Sequence, residues 1–133
     1  MSAETIIEET ERFLPVFNDD GLIPCITTDA DSGAVLMLAW MNEEALRQTV
    51  QSGYAHYWSR SRQCLWKKGA TSGALQKVVS AKTDCDQDTI LLAVSVEKPE
   101  ETCHTGRPTC FYRSVVADAD DPTGLKLKFD ETG

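Results

Sequence analysis

Thr89-Ile90-Leu91-Leu92-Ala93-Val94-Ser95-Val96 decides the fold. It is aliphatic and β-branched throughout and much shorter than the roughly 20 residues that span a bilayer, so it reads as a buried strand. Two further stretches, Tyr54 to Ser59 and Leu75 to Lys82, share its extended character, with Gly69 and Gly73 bracketing a polar loop between them. Toward the N-terminus, Gly21 to Thr28 and Val35 to Trp40 are apolar and β-leaning around the turn signal Asp31-Ser32-Gly33, a candidate hairpin. One helix is expected over Glu43 to Ser52. Asn42 is its N-cap, Glu43 and Glu44 sit at its positive end, Met41 staples onto Leu46, and Gly53 stops it. A second short helix is expected over Glu4 to Leu14, ending before Pro15. The fold class is therefore α+β, a mainly antiparallel sheet with one or two short helices.

The 133 residues fit one domain, since domains commonly run to about 100–150 residues. Residues 1–117 are expected to form it. Residues 118–133, rich in Asp and Gly around Pro122, read as a loosely held C-terminal extension. An apolar fraction of 41% with 26% charged residues excludes a disordered chain. The start Met1-Ser2-Ala3-Glu4 has no secretory pattern, so the chain is expected in the cytoplasm. There five cysteines favour metal binding or catalysis over disulfides.

A formal charge of −8 argues against general nucleic-acid binding. The charge is uneven, however. Residues 1–44 carry ten acids and one base, Arg12, whereas 60–82 carry Arg60, Arg62, Lys67, Lys68, Lys77 and Lys82 with no acid. That basic stretch suits a small polyanion.

Asp84-Cys85-Asp86-Gln87-Asp88 runs directly into the opening strand. If extended, it turns Asp84, Asp86 and Asp88 to one face and Cys85 to the other. Carboxylates suit Mg²⁺ and a thiolate suits Zn²⁺, so the two faces offer sites for two metals. Cys103 and Cys110 bracket His104-Thr105-Gly106-Arg107-Pro108-Thr109, whose Gly and Pro imply a loop that folds both thiolates onto one ion. With Cys85 they make three ligands, leaving the open position that a catalytic zinc needs for water. Zinc lowers the pKa of that water from about 15.7 toward about 7. His104, beside a ligand, is the candidate general base or proton shuttle, with a fourth-ligand role as the alternative. His56, among aromatics in a strand, reads as a packed residue.

Trp58-Ser59-Arg60-Ser61-Arg62 and the segment Lys68 to Gly73 combine guanidinium forks, hydroxyls and glycine-exposed amides, the parts of a phosphate cradle. Tryptophan adds a face for a base. Trp58, Ser59, Arg60, Ser61, Arg62, Lys68, Thr71, Ser72 and Gly73 are the candidate substrate-binding residues.

Taken together these strings resemble the phosphoribosyl-AMP cyclohydrolases of histidine biosynthesis. The likeness runs from about Leu22 to Arg113 and is carried by Met37-Leu38-Ala39-Trp40-Met41-Asn42, Trp58 to Arg62, Leu65-Trp66, Lys68-Gly69, Thr71-Ser72-Gly73, Asp84 to Asp88, Cys103 to Gly106 and Cys110-Phe111-Tyr112. The resemblance implies hydrolysis of the N1–C6 bond of the adenine ring in phosphoribosyl-AMP, giving the formimino-carboxamide nucleotide. It also implies an intertwined homodimer with one zinc per subunit at the interface, where Cys85 meets Cys103 and Cys110 of the other subunit, and magnesium on Asp84, Asp86 and Asp88. The chain departs from the family pattern at four places: Ala70 stands for glutamate, Ala74 for histidine, Glu100-Glu101-Thr102 for Gly-Pro-Ala and Thr109 for serine. The pyrophosphohydrolase domain that some members carry fused behind this one is not expected within these 133 residues. Two alternatives follow from the same residues. One is a paralogue hydrolysing another purine nucleotide. The other is a non-catalytic, zinc-bridged nucleotide-binding dimer whose metal is closed by His104, Cys25 or Cys64.

Overall fold

The computed structural model describes residues 9–130. The opening octet of aliphatic and β-branched residues forms the strand around which the others assemble. In chain order the strands are β1 (Ile23–Asp29), β2 (Val35–Met41), β3 (His56–Ser59), β4 (Cys64–Lys67), β5 (Gln76–Thr83), β6 (Ile90–Val96), β7 (Arg113–Ala117) and β8 (Leu125–Phe129), with one helix, α1 (Glu43–Ser52), after β2. A four-stranded sheet runs in the order β2-β1-β6-β5. Its outer pairs are antiparallel, while β1 and β6 run parallel. The fold is α+β with a mostly antiparallel sheet, as expected.

Alternation sets which face is buried. Ile23, Cys25 and Thr27 of β1 and Ile90, Leu92 and Val94 of β6 point inward, none more than 2% exposed. Burying a side chain such as Leu92 contributes roughly 2 kcal/mol. Against this face pack α1, through Ala45, Leu46 and Thr49, and the β3–β4 hairpin, through Tyr57. The Tyr57 and Trp66 rings meet at a centroid distance of 5.4 Å. The Tyr57 hydroxyl is fully buried and fully bonded, lying 2.8 Å from Thr27 Oγ1 and donating to Gln76 Oε1 at 2.6 Å. The opposite face of the sheet stays open, with Leu38, Leu91 and Val79 all exposed.

α1 has the bounds expected of it. Asn42 Oδ1 accepts from Ala45 N at 2.8 Å, and Gly53 closes the helix at φ 82, a left-handed conformation that glycine adopts without Cβ strain. On its exposed side Arg47 pairs with Glu43 at 2.7 Å and with Glu44.

The helix expected over Glu4 to Leu14 falls partly on residues 4–8, outside the described residues. From Thr10 to Leu14 the chain has no regular structure and is held instead by hydrogen bonds to Gln87. The division at 117/118 falls at the turn of a hairpin. Beyond it Leu125–Phe129 pairs with Arg113–Ala117, from Ala117↔Leu125 to Arg113↔Phe129.

Candidate functional site

The loop between β6 and β7 folds back on itself, as Gly106 and Pro108 suggested. Cys103 N donates to Arg107 O at 3.0 Å and Gly106 N to Cys103 O at 2.9 Å, while Cys110 N is fastened to Leu36 O of β2 at 2.7 Å. Thr109 Oγ1 adds a bond to Val35 O at 2.8 Å. These ties bring the Cys103 and Cys110 thiols close enough to influence each other's ionisation. Burial, and then the bond to Cys103, push Cys110 up to about 11. For Cys103 burial also acts upward, but it is outweighed by hydrogen bonds from Thr105, whose hydroxyl lies 3.1 Å from the sulfur, by the Cys110 thiol and by the Lys68 charge, so its pKa is lowered.

Lys68 supplies the nearby positive charge. Its Nζ donates to Thr102 O at 2.7 Å, and burial pulls its pKa down against the attraction of Cys110, Cys103 and Glu101. A cavity of about 390 Å³ opens here, lined by Lys68, Ser72, Glu101, Cys103, His104 and Gly106. Glu101 was not among the residues expected in the site. Its acidic side chain, 3.8 Å from Lys98 Nζ, brings a second proton acceptor to the wall that holds His104. Lys98 Nζ also donates to Ser72 O at 3.2 Å, tying the Thr71-Ser72-Gly73 turn to this wall.

The other phosphate-cradle residues lie elsewhere. Trp58 and Arg60 line a cavity of about 360 Å³ with Asp20, Leu22, Asn42 and Gln63. The Arg60 guanidinium stands 4.9 Å from the Trp40 ring centroid. Ser61 and Arg62 lie in the turn after β3, whose last residue is Ser59, and Arg62 N donates to Ser59 Oγ at 3.2 Å. The residues expected to form one cradle are therefore distributed between two openings of the single chain. A further cavity, about 670 Å³ between Phe13–Phe17 and α1, is lined by none of them and mostly by apolar side chains. His56 is held within the fold, its Nδ1 2.8 Å from Tyr54 O.

Asp84 to Asp88 is a turn, not the extended segment expected. Gln87 N donates to Asp84 O at 3.1 Å, and Gln87 takes φ 59. The three aspartates converge through that turn instead of through strand alternation, with one oxygen from each within 4.8 Å of the others. Asp88 is pushed above the usual carboxylate range by its hydrogen bonds to Asp84 and Asp86. Asp84 is held below that range: desolvation acts upward, but the hydrogen bonds from Asp88, Asp86 and the Asp88 and Thr89 amides together outweigh it.

Among the described residues, this trio is the only set of three or more His, Cys, Asp or Glu donors close enough to share an ion. The donor chemistry fits: hard, clustered oxygens suit Mg²⁺, and the Cys103–Cys110 pair suits Zn²⁺. Cys85 is exposed on the aspartate turn and does not join the pair within one chain. Cys25 is sealed in the core, its pKa pushed up to about 12 by burial, and Cys64 is exposed on β4. Neither closes a three-donor group with the pair, nor does His104.

One departure leaves a mark on stability. Thr102 Oγ1 is the only buried side-chain oxygen or nitrogen among the described residues without a hydrogen-bond partner. The isosteric change Thr102→Val removes that orphan while leaving the carbonyl that holds Lys68. It is expected to stabilise the fold by about 1 kcal/mol, read as a higher urea midpoint at an unchanged slope; an unchanged or lower midpoint would show that the hydroxyl finds water.

The sequence profile of the phosphoribosyl-AMP cyclohydrolase family matches residues 37–112, which include Cys103, Cys110, the aspartate turn and Lys68. A phosphoribosyl-AMP cyclohydrolase of Brucella anthropi is 58% identical over 120 residues, covering 90% of this chain and 85% of its own. Those of Brucella canis and of a Chelativorans species are 58% and 54% identical, covering 87% and 90% of this chain and 84% and 86% of their own.

Proposed function

Because the chain belongs to the phosphoribosyl-AMP cyclohydrolase family, we propose that it opens the adenine ring of phosphoribosyl-AMP at the N1–C6 bond, in histidine biosynthesis, using zinc and magnesium. The observation that carries the reading is that Cys103 shares one cavity wall with Lys68, Ser72 and His104, with the Cys110 thiol near enough to perturb its ionisation. When bound, zinc supplies a Lewis acid that acidifies water near neutral pH, and magnesium supplies countercharge to a phosphate.

The chain's own residues do the rest. Three thiolates on one divalent ion leave a net negative charge, which weakens that acidification; Lys68, close to both thiols, offsets it. His104 takes a proton at a ring nitrogen as water adds to C6 and returns it to N1 as the C–N bond breaks; the hydroxyl proton left on C6 passes to the exocyclic nitrogen, so C6 ends as the carboxamide and the proton count closes. Ser72 and the amides of its turn bind the substrate from the same wall, while Arg60 over Trp40, with Trp58 beside it, binds from the second opening.

The zinc site is completed by a second copy, in which Cys85 faces the partner's thiol pair. Two features support this assembly: the pair lacks a third donor among the described residues, and the outer face of the four-stranded sheet leaves Leu38, Leu91 and Val79 uncovered. A cytoplasmic location agrees with the reading, and no described helix is long and apolar enough to cross a membrane. The deciding experiment follows ring opening by ultraviolet absorbance with the purified protein, phosphoribosyl-AMP, zinc and magnesium. Turnover is expected. Absence of turnover, with zinc content verified on the same sample, would sink the reading, and faster turnover of another purine nucleotide would redirect it to that substrate.

A further inference from the structure

Beneath the three exposed aspartates lies a residue that sequence reasoning passed over. Gln87 is 5% exposed and uses all of its polar groups. Its backbone N donates to Asp84 O at 3.1 Å and its carbonyl accepts from Val16 N at 2.8 Å. Its Oε1 accepts from Leu14 N at 2.6 Å, and its Nε2 donates to Arg12 O at 3.3 Å. One uncharged amide thus fastens the Asp84–Asp88 turn to a segment more than 70 residues earlier that has no regular structure of its own.

The backbone here is costly. Gln87 sits at φ 59, where a side chain with a Cβ costs about 1–2 kcal/mol, and three carboxylates held together repel one another. Both effects favour opening the turn. The four hydrogen bonds oppose it, so the carboxylates are gathered before any cation arrives.

We propose that Gln87 is a positioning residue for the cation site of Asp84, Asp86 and Asp88, keeping the turn closed by clamping it to Arg12–Val16. The inference rests on the reading of those aspartates as the magnesium site. It goes beyond that reading by assigning the preorganisation of the site to a neutral residue that touches no metal and to an N-terminal segment outside the span of the family match.

The test is Mn²⁺ binding followed by electron paramagnetic resonance on zinc-loaded protein, since Mn²⁺ accepts the same oxygen ligands. The unaltered protein is expected to bind one Mn²⁺ per chain and Asp86→Asn to lose it. Gln87→Ala is expected to weaken binding about tenfold, the scale of one or two lost hydrogen bonds, with zinc content unchanged. Leu14→Pro, which removes the N–H that Oε1 accepts, attacks the clamp from its other end and should weaken binding similarly, whereas Leu14→Ala keeps the N–H and should bind as the unaltered protein does. If Gln87→Ala fails to fold, the Leu14 pair carries the decision. Mn²⁺ affinity unchanged in Gln87→Ala, or in Leu14→Pro, at any melting temperature would overturn the proposal and leave Gln87 a mere anchor for the N-terminal segment. If the unaltered protein binds no Mn²⁺, the magnesium reading fails first and the proposal with it.

Discussion

Gly69→Ala is expected to lower the melting temperature by on the order of 10 °C and to abolish turnover, although it adds a single methyl group. Gly69 has φ 81, and a Cβ built there would lie 2.2 Å from the Ala74 carbonyl carbon and 2.4 Å from Leu75 N. Both atoms belong to backbone. No rotamer change relieves the overlap, and Ala74 is itself fully buried. The turn cannot yield cheaply either, because Gly73 N is bonded to Gly69 O at 2.7 Å and β5 begins at Gln76. The left-handed backbone costs about 1–2 kcal/mol with any Cβ, and displacing packed backbone adds more. A total of about 4 kcal/mol would remove much of the 5–15 kcal/mol that typical domains possess. Gly53→Ala is the control. It has nearly the same φ, 82, but nothing within 4 Å of the added carbon, so it should cost only about 1–2 kcal/mol. Equal losses in the two variants would show that backbone conformation alone, and not the Ala74 contact, fixes glycine at 69.

The functional side of that prediction follows from where Gly69 lies. Lys68 precedes it and Ser72 follows within the same turn, and both line the cavity with Cys103 and His104. A shift of the turn moves the charge beside the thiols and the hydroxyl of the wall together. Loss of turnover should therefore exceed what the population of unfolded protein explains.

Features governed by neighbours in sequence were legible from the sequence; those governed by distant contacts were not. α1 could be bounded to the residue because its stops are local: the Asn42 carboxamide bonds Ala45, and Gly53 supplies the left-handed cap. The β1–β2 pairing followed from two apolar runs around Asp31-Ser32-Gly33. The strand β4 escaped notice because the turn before it uses Gln63 at φ 53, and glutamine gives no turn signal. The same holds at Gln87. A residue without turn propensity takes a left-handed conformation because Leu14, Val16 and Arg12 bond to it from far along the chain. That is also why the aspartates gathered by a mechanism other than the alternation expected of them.

In β8 a clear pattern was masked by its context. Leu125-Lys126-Leu127-Lys128-Phe129 alternates strictly, a strand signature, but Asp, Gly and Pro residues just before it read as a tail. For the site itself, pairing of Cys103 with Cys110 was legible because a Gly- and Pro-containing loop returns on itself within eight residues. Cys85 reads from the sequence as a third donor beside them, but within the single chain its thiol does not join the pair.

A mixed dimer of two dead variants is expected to regain activity, and this result bears most directly on the proposed site. Cys85→Ala and Cys103→Ala should each lose turnover at least about a thousandfold along with bound zinc, since each removes one of three ligands from the metal. Co-expressed with different affinity tags and isolated as a mixed pair, the two chains offer two sites. In one, the altered Cys85 of the first chain faces the altered Cys103 of the second, and nothing binds. In the other, the intact Cys85 of the second chain faces the intact Cys103 and Cys110 of the first. The mixed pair should therefore show about half the zinc and half the turnover of the unaltered dimer, as one intact site in two requires. If instead Cys85 reached the pair within its own chain, each site of the mixed pair would carry one altered ligand, and no activity would return in any combination. Single variants that keep full turnover would sink the zinc reading itself. Recovery by half is the one outcome that needs a third ligand supplied by the partner, and it would explain why Cys103 and Cys110, near Lys68, find no third donor among the described residues of the single chain.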